Sequence, residues 1–144
     1  MSDVFIVGTD ASEGSERALV FALERAKLTN AKIDLVHVLE WSPYSFLTPD
    51  ELAERHARRT EELSRAEAIT NPIVERVRAE GIECEAVIRY GHVAETICKL
   101  AEELDAKQIF VGRTGGSSNL TSRLFGSVQM ALVQAAPVAV TVVP

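Results

Sequence analysis

Short apolar runs alternate along this chain with longer amphipathic segments. Residues 4–7 are an unbroken apolar run, followed by a turn-rich stretch of Gly8, Thr9, Asp10, Ala11 and Ser12. A continuous run of that length predicts a strand buried on both faces. Ser12 is placed to cap the next helix, where Ala18, Leu19, Ala22, Leu23 and Ala26 recur at helical spacing and form one apolar face. Asn30 ends that helix, and residues 33–39 read as a second strand. An aromatic loop, 40–47, follows. Thr48, Pro49 and Glu51 then have the pattern of a capping box with proline at the first helical position. The long helix beyond is rich in Glu and Arg of alternating order, the mark of a solvated face. Pro72 lacks an amide hydrogen and clashes with the preceding turn, so a kink or break is expected near Asn71. The helix then resumes to about Glu80, with Gly81 as its terminator.

Residues 83–88 read as a third strand. Gly91 and His92 open a helix with Val93, Ile97, Leu100, Ala101 and Leu104 on one face. Residues 108–111 are a fourth strand, 125–135 a helix, and Pro137 starts a last strand over 138–143. Alternating strands and helices predict a parallel sheet with helices on both faces, and no linker or repeat divides the single domain of 1–144. Ligands in such folds sit beyond the carboxyl ends of the strands where strand order reverses. If the first and fourth strands are neighbours there, the loops 8–12 and 112–127 share one crevice. The last strand is apolar on both faces. At a sheet edge it would need cover, either by a second copy of the chain or by the chain's own helices.

The candidate chemistry lies in residues 111–127, VGRTGGSSNLTSRLFGS, which hold four glycines, two arginines and no acid. Glycine lets backbone amides approach a ligand, hydroxyls donate, and arginine adds positive charge. Such a loop between a strand and a helix suits phosphate. Charge is distributed accordingly. The chain carries −6 overall, yet every acid lies at or before Asp105, and Lys107, Arg113 and Arg123 make the remainder +3. An acidic body with a basic loop fits a small polyanion and disfavours nucleic acid. No apolar run approaches the ~20 residues of a membrane span, and the start lacks a basic signal region, so a cytoplasmic location is expected. Cys84 and Cys98 show no CxxC spacing, and His37, His56 and His92 show no metal-ligand spacing. His37, in an apolar strand, reads as a hydrogen-bonded core residue.

Three stretches together resemble the universal stress protein family. They are 7–19 (VGTDASEGSERAL), 35–38 (LVHV), and the run from Gly112 through Gly115 to Gly126, Ser127 and Val128. The ending 137–144 (PVAVTVVP) also looks like that family's last strand. The resemblance spans the whole chain in order. It implies a Rossmann-like α/β sandwich with a five-stranded parallel sheet of order 3-2-1-4-5 and a homodimer through the strand 138–143. It also implies bound ATP, with Mg2+ as an accompanying ion and ADP or AMP as alternatives. By position it places Asp10, beside Thr9, near ribose or phosphate, and Val38 against adenine. Val111 and Gly112 fall where adenine and ribose lie. Gly115 and Gly116 share the second glycine position, and Gly126, Ser127 and Val128 form a phosphate turn. One of Arg113 and Arg123 is expected to contact phosphate. Asp10 could instead only cap the first helix, and Val38 and Val111 could be plain core.

The family's ATP-binding loop runs glycine, two residues, glycine, nine residues, then glycine followed by Ser or Thr. Here two residues separate Gly112 from Gly115, but ten separate Gly115 from Gly126. Counting from Gly116 restores the nine and leaves three residues after Gly112. The loop thus carries one extra residue. The reading is an ATP-binding regulatory protein acting with an unidentified protein partner, not an enzyme. The rivals are a protein-interaction module that has lost nucleotide binding, favoured by that extra residue, and a slow ATPase. Neither a P-loop, a GxGxxG after the first strand, nor a phosphorylatable Asp after the third is present; Arg89 and Tyr90 stand where that Asp would be.

Overall fold

The computed structural model describes residues 2–40, 48–113 and 127–144. Five strands, β1 (Val4–Gly8), β2 (Lys32–Glu40), β3 (Cys84–Gly91), β4 (Gln108–Gly112) and β5 (Ala139–Val143), alternate with α1 (Glu13–Thr29), α2 (Pro49–Ala79), α3 (Val93–Glu103) and α4 (Val128–Ala135). They form one sheet of order β3-β2-β1-β4-β5 in which every pairing is parallel. Period two along the central strands divides the core into two layers. Phe5, Val7, Leu35 and Phe110 meet α1 and α2 on one face. Ile6, Val36, Ile109 and Val111 meet α3 and α4 on the other.

The local signals work as the residues dictate. Ser12 Oγ accepts the Ser15 amide at the start of α1, and Asn30 closes that helix in the left-handed region (φ 54°). At α2 the Glu51 amide donates to Thr48 Oγ1 (3.2 Å) and the Thr48 amide donates back to Glu51 Oε2 (3.1 Å), a complete capping box. Helix α2 is not broken at Pro72: it runs unbroken from Pro49 to Ala79. The stripe of Ala66, Thr70, Val74 and Val77 is buried on both sides of the proline, while Pro72 itself is exposed. The missing bond therefore falls on the solvent face, where water can take the freed carbonyl. Several boundaries move. Strand β3 starts at Cys84 and extends to Gly91, pairing with β2 as far as Glu40; Tyr90 Oη donates to the Arg59 carbonyl (3.2 Å) and Glu62 Oε2 (3.0 Å), pinning that end under α2. Helix α4 begins at Val128 because Ser127 is extended (ψ 153°) and acts as its cap. Strand β5 begins at Ala139.

One charge sits inside the sheet. Asp34 is 2% exposed; Lys32 Nζ lies 3.3 Å from its Oδ1 and 3.2 Å from Glu85 Oε2. Its Oδ1 nonetheless accepts no well-directed hydrogen bond. Burial raises the Asp34 carboxyl above its ordinary value of 3.8; Lys32 pulls it back, and Glu85 and Glu83 push it further up. Since the folded value exceeds the unfolded one, stability falls as pH rises from 3.8 through the folded value, and the deficit then stays constant. Asp34→Asn is expected to raise the urea midpoint at neutral pH, with the gain fading as pH drops through the raised folded value and largely gone below 3.8. A lower midpoint at neutral pH would show that the ion pair outweighs its desolvation.

Candidate functional site

A cleft of about 460 Å³ opens at the carboxyl ends of β1, β2 and β4, on the α3 and α4 side of the sheet. It lies where strand order reverses, because β1 lies between β2 and β4 and the chain crosses from β3 to β4 through α3. Strand β1 stops at Gly8, level with Val36 of β2, so the longer β2 stands up as a wall. The first loop then folds on itself. The Thr9 amide donates to the Val36 carbonyl (2.9 Å), and His37 Nδ1–H donates to the Thr9 carbonyl (2.8 Å), which fixes the tautomer because a carbonyl only accepts. Ala11 takes a left-handed turn (φ 65°), and its amide donates to Thr9 Oγ1. Asp10 Oδ1 accepts the Ser12 amide at 3.0 Å. Partial burial alone would raise the Asp10 carboxyl, but hydrogen bonds from Ser12 and Ser15 outweigh it and hold it below its usual range. Asp10 thus braces the turn ahead of the Ser12 cap while lining the cleft.

The opposite wall is built from backbone. A Cβ at Gly112 would overlap the Gly14 carbonyl and lie 2.8 Å from the Ser15 amide nitrogen, and a Cβ at Gly14 would lie 2.7 Å from the Arg113 carbonyl oxygen. Two glycines thus let the first turn of α1 rest on the end of β4. The Arg113 amide donates to the Val143 carbonyl (2.8 Å), leaving its exposed side chain at the rim. Ser127 Oγ accepts the Met130 amide at 3.1 Å, and Gln129 Nε2 donates to the Gly112 carbonyl at 2.6 Å, tying the start of α4 to β4. The first amides of α4 have no intrahelical acceptor and carry the positive end of its dipole.

The cleft brings together eight of the sequence-derived site residues: Thr9, Asp10, Val38, Val111, Gly112, Arg113, Ser127 and Val128. Gly115, Gly116, Gly126 and Arg123 lie outside the described residues. Ser15, Val36, Glu40, Val93, Ile97 and Gln129 also line it and were not anticipated. Period two on β2 could have found two of them, since Val38 in the cleft entails Val36 and Glu40 beside it. His37 is half-buried and hydrogen-bonded, as expected. Burial pushes the Cys84 thiol up to about 11 and the Cys98 thiol above its usual value, so neither is a ready nucleophile. Among the described residues no group of three His, Cys, Asp or Glu side chains is placed to hold a metal, and no helix is long and apolar enough to cross a membrane.

A doubly wound parallel sheet with a polar crevice at its switch point defines a Rossmann-like α/β protein. The family model described as the universal stress protein family matches residues 1–144, and the chain belongs to that family. No curated protein matches it significantly. Among solved structures it resembles universal stress protein UspA from Lactobacillus plantarum at 23% identity, covering 99% of this chain and 97% of that one, with a TM-score of 0.83. It also resembles a universal stress protein in complex with cAMP at 26% identity, covering 99% and 97%, with a TM-score of 0.75. A family protein from Arabidopsis thaliana with AMP bound is similar at 22% identity, covering 98% and 90%, with a TM-score of 0.69. At 23% and 22% identity the first and third likenesses concern the fold.

Proposed function

We propose that the cleft binds an adenine nucleotide, with ATP as the principal ligand and ADP or AMP as alternatives, and that occupancy rather than turnover is the signal passed to a protein partner. The observation that carries this is the convergence of two unlike walls. Val36, Val38, Val93 and Ile97 offer apolar surface to a base, and the Ser127-capped start of α4 with Arg113 offers donors and positive charge to phosphate. The volume of about 460 Å³ lies within the usual range of small-molecule sites, roughly 300–1,000 Å³. The similar structure in complex with cAMP supports the same ligand class. Asp10 is engaged by the α1 turn, accepting the Ser12 amide, which favours binding over catalysis.

Isothermal titration of the purified chain with ATP, ADP, AMP and cAMP is expected to give dissociation constants well below about 1 mM, which corresponds to roughly −4 kcal/mol. No binding below that level would leave the interaction-module reading, in which the extra loop residue has removed the phosphate turn. The reading also includes a dimer through β5, the last strand of the sheet, whose outer edge has no strand partner among the described residues. Light scattering at one chain mass would remove that part alone.

A further inference from the structure

We propose that Glu40 sets the base preference of the cleft by accepting a hydrogen bond from an exocyclic amine, selecting 6-aminopurine over 6-oxopurine nucleotides. This rests on the nucleotide reading and adds a residue that reads the base edge. The starting point is the register of β2. Val36, Val38 and Glu40 alternate onto the cleft side, and Val36 is level with Gly8, where β1 stops. Glu40 therefore stands four residues, about 13 Å, beyond the floor. Its partner across the β3 pairing is Gly91, which has no side chain to cover it. Glu40 is exposed and has no hydrogen-bond or ion-pair partner among the described residues.

Charge then orients the ligand. The charged side chains among the described lining residues are Asp10, Glu40 and Arg113. Asp10 is tied to the α1 turn, while Arg113 follows the end of β4 and lines the same cleft as Ser127 and Val128 at the start of α4. Strand β4 is two strands from β2, about 10 Å away. An anionic group settles on the β4 side, and the Glu40 carboxylate repels it from the β2 side. The base is left against Val38, with Glu40 beyond its edge.

An ionised carboxylate only accepts. Glu40 meets the N7 edge of the base, where adenine presents an N6 amine, a donor, and guanine and hypoxanthine present O6, an acceptor. With a 6-aminopurine the carboxylate gains a charge-assisted hydrogen bond. On that edge a 6-oxopurine offers only the acceptors O6 and N7, so the bond to the carboxylate is not made. The contrast is worth roughly 10- to 100-fold in affinity.

The test is the ratio of dissociation constants for ITP and ATP, which differ at the 6-position and carry the same phosphates. The wild-type chain is expected to favour ATP by roughly 10- to 100-fold. Glu40→Gln, whose amide offers either a donor or an acceptor, should bring the ratio to within about threefold. Glu40→Lys, a donor only, should reverse it, with the general gain in phosphate attraction cancelling in the ratio. Thermal melts confirm that both exposed-site variants fold. ATP binding with no preference over ITP, or a preference that persists in Glu40→Gln, overturns the role of Glu40 and leaves the nucleotide reading standing. Failure of the wild-type chain to bind either nucleotide overturns both.

Discussion

Replacing Phe110 with alanine is expected to lower the unfolding free energy by about 3–5 kcal/mol. Phe110 is 0% exposed at the centre of the sheet, between Val7 of β1 and Thr141 of β5. Its ring meets Phe5 edge-on at 5.1 Å between centroids and lies 6.1 Å from Phe21 of α1. Truncation removes the apolar transfer of the ring, both aromatic contacts, and the filling of a space bounded by strand and helix backbones. Those backbones cannot collapse inward without breaking the sheet pairing, so a cavity remains. Against a total stability of about 5–15 kcal/mol for a domain, the variant would be marginal. A urea titration checks this: the midpoint should fall sharply while the slope stays unchanged. A loss under about 1 kcal/mol would mean that the layer between α1 and the sheet repacks freely, contrary to close-packed interiors.

The same layer shows why the architecture is legible before any coordinates. Apolar runs at 4–7 and 108–111 are too short for helices and too uniform for a one-sided sheet, so they read as buried parallel strands. Strand order is a different matter. Nothing in residues 4–7 says that β4, rather than β3, lies beside them; the order 3-2-1-4-5 came from resemblance to a family. Pro72 does not break the helix because the local rule weighs one lost hydrogen bond and a clash, whereas the helix is held by Ala66, Thr70, Val74 and Val77 against the sheet. Asp34 is hidden for a related reason. Lys32 and Asp34 share a face of β2, but the Glu85 carboxylate that also holds Lys32 arrives only through the parallel register of β2 with β3, which residue patterns do not supply.

The candidate site divides along similar lines. Ser12 is visible as a cap because a cap is a local event, whereas Ser127 is read only as part of the phosphate turn, inside a helix drawn from residue 125. Asp10, Val38 and Val111 were placed by family position, and the fold gathers them in one cleft. Gly14 went unremarked because its role is a contact with Gly112, far along the chain, which exists only once α1 lies on the end of β4. Gln129 is hidden likewise, since its bond to the Gly112 carbonyl links α4 to β4. What pattern reading misses here is long-range backbone packing.

That packing makes Gly112→Ala the sharper experiment on the site. The added Cβ would meet the Gly14 carbonyl group and the Ser15 amide, both backbone, with no flexible side chain able to swing aside. Either the first turn of α1 lifts or the end of β4 moves. Overpacking of this kind costs about 1–3 kcal/mol, and the rigid backbone neighbours put this site at the upper end. Any such movement also displaces the Gly112 carbonyl that Gln129 holds and the Arg113 amide bonded to Val143. Both walls of the cleft shift together, and nucleotide affinity is expected to fall at least tenfold, about 1.4 kcal/mol. Gly8→Ala is the comparison. Its Cβ would meet the Val111 Cγ1 at 3.1 Å and the Ile97 Cδ1 at 3.6 Å, side-chain atoms that can yield by a few tenths of an ångström. It should melt closer to the wild type than Gly112→Ala does. Paired urea and titration curves for the two variants decide the matter. If Gly112→Ala matched the wild type in both, the contact between α1 and β4 would be looser than the backbone geometry states, and the phosphate side of the cleft would not depend on it.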